Sequence, residues 1–79
     1  MDNVLFYNPS MGKNQQSYKA KLATSIRELR GAQSQEVFAR RLAVSQSTLA
    51  RIESEQQNVT IDMLESICKR LKCKLSDLI

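Results

Sequence analysis

The stretch from Ser34 to Glu53, SQEVFARRLAVSQSTLARIE, most constrains what this chain can fold into. Phe38, Ala39 and Leu42 form one apolar stripe, and Leu49 and Ile52 form another. Each suits one face of a helix of two or three turns. Ala43-Val44-Ser45 leaves room between them for a tight turn only. Ser34 and Ser45 precede the two stripes and have the side chain that caps a helix start. The segment therefore predicts two short, closely joined helices, the second opening on a polar, Gln-rich face.

The rest of the chain is predicted to supply helices that support this pair. Tyr18, Leu22, Ile26 and Leu29 share a helical face, with Ser17 as N-cap and Gly31 as the stop, giving a first helix over 17–30. Glu36 complements the dipole of the second helix. Leu64, Ile67, Cys68 and Leu71 recur at i, i+3, i+4 and i+7, giving a helix over 61–72 capped by Thr60. Ser76 is the expected cap of a last short turn, with Leu75, Leu78 and Ile79 on its apolar side. Residues 1–16 show no helical period and are set apart as an N-terminal arm. Val4-Leu5-Phe6-Tyr7 has strand propensity, so the arm is open between a flexible start and an added strand. Residues 17–79 form one small all-α domain, and two Gly and one Pro argue against an all-β alternative.

Composition narrows the function. The net charge is +4, and it is unevenly spread. Residues 17–51 carry seven Lys and Arg against two Glu, whereas residues 52–79 carry four against five acids. The basic surplus thus surrounds the paired helices, which suits a polyanion partner. Arg40 and Arg41 are open between solvated charges and phosphate contacts. Lys69, Arg70, Lys72 and Lys74 suit the carbonyl end of the fourth helix. The chain has no His, and Cys68 and Cys73 lack metal-ligand spacing, so no metal and no cofactor is expected. Both thiols read as small core residues. No phosphate loop or paired catalytic acids support an enzyme. Apolar runs such as Val4–Tyr7 are too short for a membrane span or secretory signal, so a cytoplasmic protein is expected.

Two helices crossing steeply would leave the start of the second free to enter a DNA major groove. Gln46, Ser47 and Arg51 project to a similar side there. A Gln amide matches adenine N6 and N7, and an Arg fork matches guanine O6 and N7. Gln35 stands at the opening of the second helix, where free N–H groups favour a phosphate.

These segments resemble the Xre/Cro-type helix-turn-helix family, the fold of lambdoid phage repressors. The resemblance rests on Ser34-Gln35-Glu36-Val37-Phe38-Ala39, on Ser45 through Glu53, and on Thr60 through Leu71. It implies a five-helix domain, closed by Leu75-Ser76-Asp77-Leu78-Ile79. It also implies that Gln46 and Ser47 touch base edges and that Arg51 reaches a base or nearby phosphate. Gln35 would meet a phosphate and steady Gln46. Thr48 would face the backbone or a thymine methyl, and Gln57 and Asn58 would lie near phosphates. Dimers would form through Leu75, Leu78 and Ile79 and bind a palindromic double-stranded DNA operator. The sequence departs from the family at two usual glycines. Ala43 replaces one that takes positive φ, at a cost on the order of 1 kcal/mol if the geometry is kept. Glu55 replaces the other. The implied function is a repressor-like transcriptional regulator. The alternative is an antitoxin that binds a toxin through residues 1–16 and autoregulates its operon.

Overall fold

In a computed structural model, which describes residues 17–79, four hydroxyls set where the helices begin. Ser17, Ser34, Ser45 and Thr60 each accept a hydrogen bond from the N–H three residues on, at 3.1, 3.1, 3.0 and 3.0 Å. Each bond satisfies one of the donors that a helix start leaves unpaired. The helices that follow are α1 (Tyr18–Arg30), α2 (Gln35–Leu42), α3 (Gln46–Glu53) and α4 (Ile61–Leu71).

A fifth helix is not formed among the described residues. After Lys72 only Leu75–Asp77 are wound, as one 3₁₀ turn held by i→i+3 bonds. Its cap also differs from expectation. Lys74, not Ser76, opens the turn, and the Lys74 N–H donates to Asp77 Oδ2 at 2.8 Å.

The helix ends use one device three times. Ala43, Glu55 and Lys72 adopt left-handed φ values of 59°, 66° and 55°. Each reversal brings back an N–H onto the helix just left: Val44 to the Ala39 carbonyl, Gln56 to that of Arg51, and Cys73 to that of Cys68. These are the bonds of a Schellman closure, where glycine is the usual occupant. Here three residues with a Cβ occupy the positions. Gly31 closes α1 with φ 56° and ψ −128°, a combination open essentially to glycine alone.

One core joins all four helices. Leu22 and Ile26 of α1 meet Phe38, Ala39 and Leu42 of α2, Leu49 and Ile52 of α3, and Leu64 and Ile67 of α4. Burying each large side chain contributes about 1.5–3 kcal/mol of transfer free energy. The stripes predicted for α2 and α3 are therefore the observed ones. That predicted for α1 is too wide: Tyr18 and Leu29 are exposed, and the buried residues are Leu22, Ala23 and Ile26. The helix packs chiefly against α3, and its central turn alone meets the core. Cys68 and Cys73 are half-buried against that core as free thiols. Burial pushes the Cys73 thiol above its ordinary pKa, and Cys68 and Asp77 nearby add to the shift.

Leu78 is also a core residue, only 1 % exposed. Of the three residues expected to form a dimer edge, Leu75 is exposed, Ile79 is half-buried and Leu78 faces inward. The expected arm, 1–16, lies outside the described residues.

Candidate nucleic-acid interface

The reversal at Ala43 turns α2 directly into α3 and leaves the opening of α3 uncovered. Leu49 and Ile52 anchor α3 on the core, so Gln46 and Ser47 are left outside. Gln46 is exposed and makes no side-chain hydrogen bond among the described residues. Ser47 lies 3.1 Å from the Ser45 Oγ. Ser45 also donates to Thr48 Oγ1 at 2.8 Å, tying the first turn of α3 together.

One turn further, Arg51 is exposed but held. Its Nε donates to Gln57 Oε1 at 2.8 Å, and its Nη2 reaches Thr48 Oγ1 at 3.4 Å. Gln57 is itself fastened, its Nε2 donating to the Asn58 carbonyl at 3.2 Å. The structure thus brings Thr48, Arg51 and Gln57 into one cluster on the outer face of α3. Asn58 stands beside it, exposed.

Gln35 behaves differently from the rest. It is half-buried, and its Nε2 donates to Glu53 Oε1 at 3.0 Å, not to Gln46. What Gln35 leaves for an anion is its main-chain N–H in the first turn of α2. Arg40 and Arg41 are exposed on the same helix. Arg40 pairs loosely with Glu36 at 3.3 Å, and the Arg41 guanidinium lies 5.9 Å from the centre of the Phe38 ring. Exposed pairs of this kind hold a side chain weakly and leave it available.

Sequence reasoning missed the polar network beneath this face. Glu53 is the one buried charged residue among those described, at 8 % exposure. Arg30 grips it with two of its three nitrogens, Nε to Oε2 at 2.7 Å and Nη2 to Oε1 at 3.0 Å. The third arm of Arg30 donates to the Gln33 carbonyl at 3.0 Å. Arg27 donates to the Glu53 carbonyl, satisfying an acceptor that the end of α3 leaves unpaired. Side chains from α1 and α2 therefore converge on the last residue of α3 and fix its pose. Burial pushes the Glu53 carboxyl up. Bonds from Arg30 and Gln35 and the charges of Arg30 and Arg27 outweigh it, and hold the carboxyl below its usual range. The signal was present in the sequence, since Leu49, Ile52 and Glu53 fall at i, i+3 and i+4. An acid in an apolar stripe implies a buried partner.

The helix-turn-helix family model matches residues 26–78, about two thirds of the chain and all of the paired helices. The chain belongs to this family, of the Xre/Cro type. No curated protein and no solved structure matches it. The helix-turn-helix consists of α2, the Ala43 reversal and α3, and its family is one of DNA-binding regulators. Among the described residues no helix is long and apolar enough to cross a membrane.

Proposed function

We propose that this protein is a sequence-specific double-stranded DNA-binding transcriptional regulator of the repressor type, acting in the cytoplasm. The observation that carries this reading is the face of α3. An amide at Gln46 with no partner among the described residues, a hydroxyl at Ser47 and a guanidinium at Arg51 stand out from a helix whose other side is locked into the core. In the major groove, Gln46 would pair with an adenine edge and Arg51 with guanine O6 and N7. Arg40, Arg41 and the free N–H groups opening α2 would meet phosphates. Thr48 would sit against the backbone. Ser47 would share the base edge that Gln46 contacts.

The protein would act as a homodimer on a palindromic operator, its two copies placing their α3 helices about one DNA turn apart. Leu75 and Ile79 offer the apolar edge for that pairing. The antitoxin alternative depends on residues 1–16, which lie outside the described residues.

The reading is tested by equilibrium binding to duplex DNA from the protein's own promoter and to random duplex, over a range of salt. Specific binding should exceed non-specific binding by at least about 10³-fold. Both affinities should fall as salt rises, because phosphate contacts release counterions. Equal affinity for the two duplexes, even at low salt, would refute the proposal.

A further inference from the structure

The geometry points to Gln57 as a positioning residue, one that aims the Arg51 guanidinium at a guanine and so sets specificity at that base pair. The inference rests on the DNA-binding reading above and refines it. Family resemblance places Gln57 near a phosphate, but its amide is occupied at both ends. Oε1 accepts from Arg51 Nε at 2.8 Å, and Nε2 donates to the Asn58 carbonyl at 3.2 Å. Holding both bonds leaves only the second N–H of Nε2 for a phosphate.

The backbone explains how Gln57 comes to be there. Glu55 turns left-handed at φ 66°, and Gln56 N–H closes on the Arg51 carbonyl at 2.8 Å. The chain leaving α3 therefore doubles back along the helix, and the next residue lies beside the Arg51 side chain. One residue thus has both its carbonyl and its guanidinium gripped by the same loop.

The consequence for recognition is specific. An unrestrained arginine has many rotamers, and ordering it on binding costs conformational entropy. Here the Nε is already spent on Gln57, and the Nη2 contact to Thr48 is long, at 3.4 Å. The end of the guanidinium, Nη1 with Nη2, remains as a fork of two parallel donors. Guanine is the base whose major-groove edge offers two acceptors, O6 and N7, to such a fork. Gln57 makes the pose that presents it the resting one.

The test begins with the full-length protein selecting its preferred duplex from a random pool. Fluorescence anisotropy then gives affinities for that duplex and for each single base-pair variant. The proteins compared are wild type, Arg51→Ala, Gln57→Ala, Gln57→Glu and the Arg51→Ala/Gln57→Ala double variant. Arg51→Ala should abolish the preference for guanine at one position. Gln57→Ala should weaken that same preference on the order of fivefold, the coupling typical of contacting residues. It should add nothing once Arg51 is gone. Gln57→Glu, which keeps an oxygen for Nε, should retain the preference even where overall affinity falls. Gln57→Met keeps the side-chain stem and serves if the alanine variant loses its loop. A guanine preference unchanged by loss of the Gln57 amide would overturn the inference. So would an equal loss of affinity on every duplex, the mark of a phosphate contact, or a preference that survives Arg51→Ala. In those cases the DNA-binding reading stands. A wild type that selects no sequence refutes that reading itself, and this inference with it.

Discussion

Arg51 and Glu53 stand two residues apart on α3 and meet opposite surroundings. Both are charged, and both are held by amide or guanidinium partners from other segments. Glu53 is sealed beneath the helix, with Arg30 and Gln35 on its carboxylate. Arg51 is open to solvent, with one edge on Gln57 and the other free. Burial turns the first set of bonds into a condition of folding, because an unpaired charge there would be far from water. Exposure makes the second cheap to break, so its value lies in the pose it favours. One short helix is thus locked on one side and poised on the other.

The largest effect that would break this comparison is predicted at Arg30. Arg30→Ala strands the Glu53 carboxylate with Gln35 alone, and should cost about 3 kcal/mol in chemical denaturation. Glu53→Ala should cost less, since the Arg30 side chain is already 24 % exposed and can rehydrate. Equal costs would mean that the buried charge is not what matters.

Protons probe the same network more gently. The folded-state pKa of Glu53 lies below its ordinary value of 4.5. Its contribution is therefore fully present above that value and is lost as pH falls through the lower, folded one. Stability followed against pH should show an acid limb in that window. Glu53→Gln should flatten the limb and lower the plateau at neutral pH. An acid limb of undiminished slope in that variant would assign it to other carboxylates.

A smaller effect, of opposite sign, is predicted where α2 turns into α3. Ala43 pays for a left-handed φ of 59° that glycine adopts freely. Ala43→Gly should stabilise the fold by about 0.5–1 kcal/mol after the added unfolded-state entropy, measured by thermal melting. DNA discrimination should be unchanged, because in the proposed function the bases are read from α3. The smallest effect belongs to the exposed Arg40–Glu36 pair. Glu36→Gln should shift stability by less than about 0.5 kcal/mol, and added salt should erase the difference.

Local chemistry was legible in the sequence. All four hydroxyl caps on α1–α4 were readable, because a cap bonds only three residues away. So were the buried faces of α2 and α3, whereas the strained reversal at Ala43 was implied only by the family resemblance. Features that depend on how distant segments approach were not. Glu53 stood in the sequence only as the last residue of the motif, and only the approach of α1 makes it the centre of a buried network. Leu78 looked like part of a surface edge, and the chain after α4 packs it into the core. Gln57 was expected near phosphates, and its contact with Arg51, set by the Glu55 reversal, could not be read from the sequence. The positions of Gln46, Ser47 and Arg51 were readable from helix spacing. Their binding roles rest on the proposed function.

The central claim is that the outer face of α3 reads bases while its inner face only supports it. The most direct measurement pairs two readings on Gln46→Ala: the melting temperature, and affinity across all single base-pair variants of the selected duplex. The account predicts an unchanged melting temperature and a loss of about 1–3 kcal/mol confined to one base pair, where discrimination relaxes. Discrimination identical to wild type at every position would contradict it.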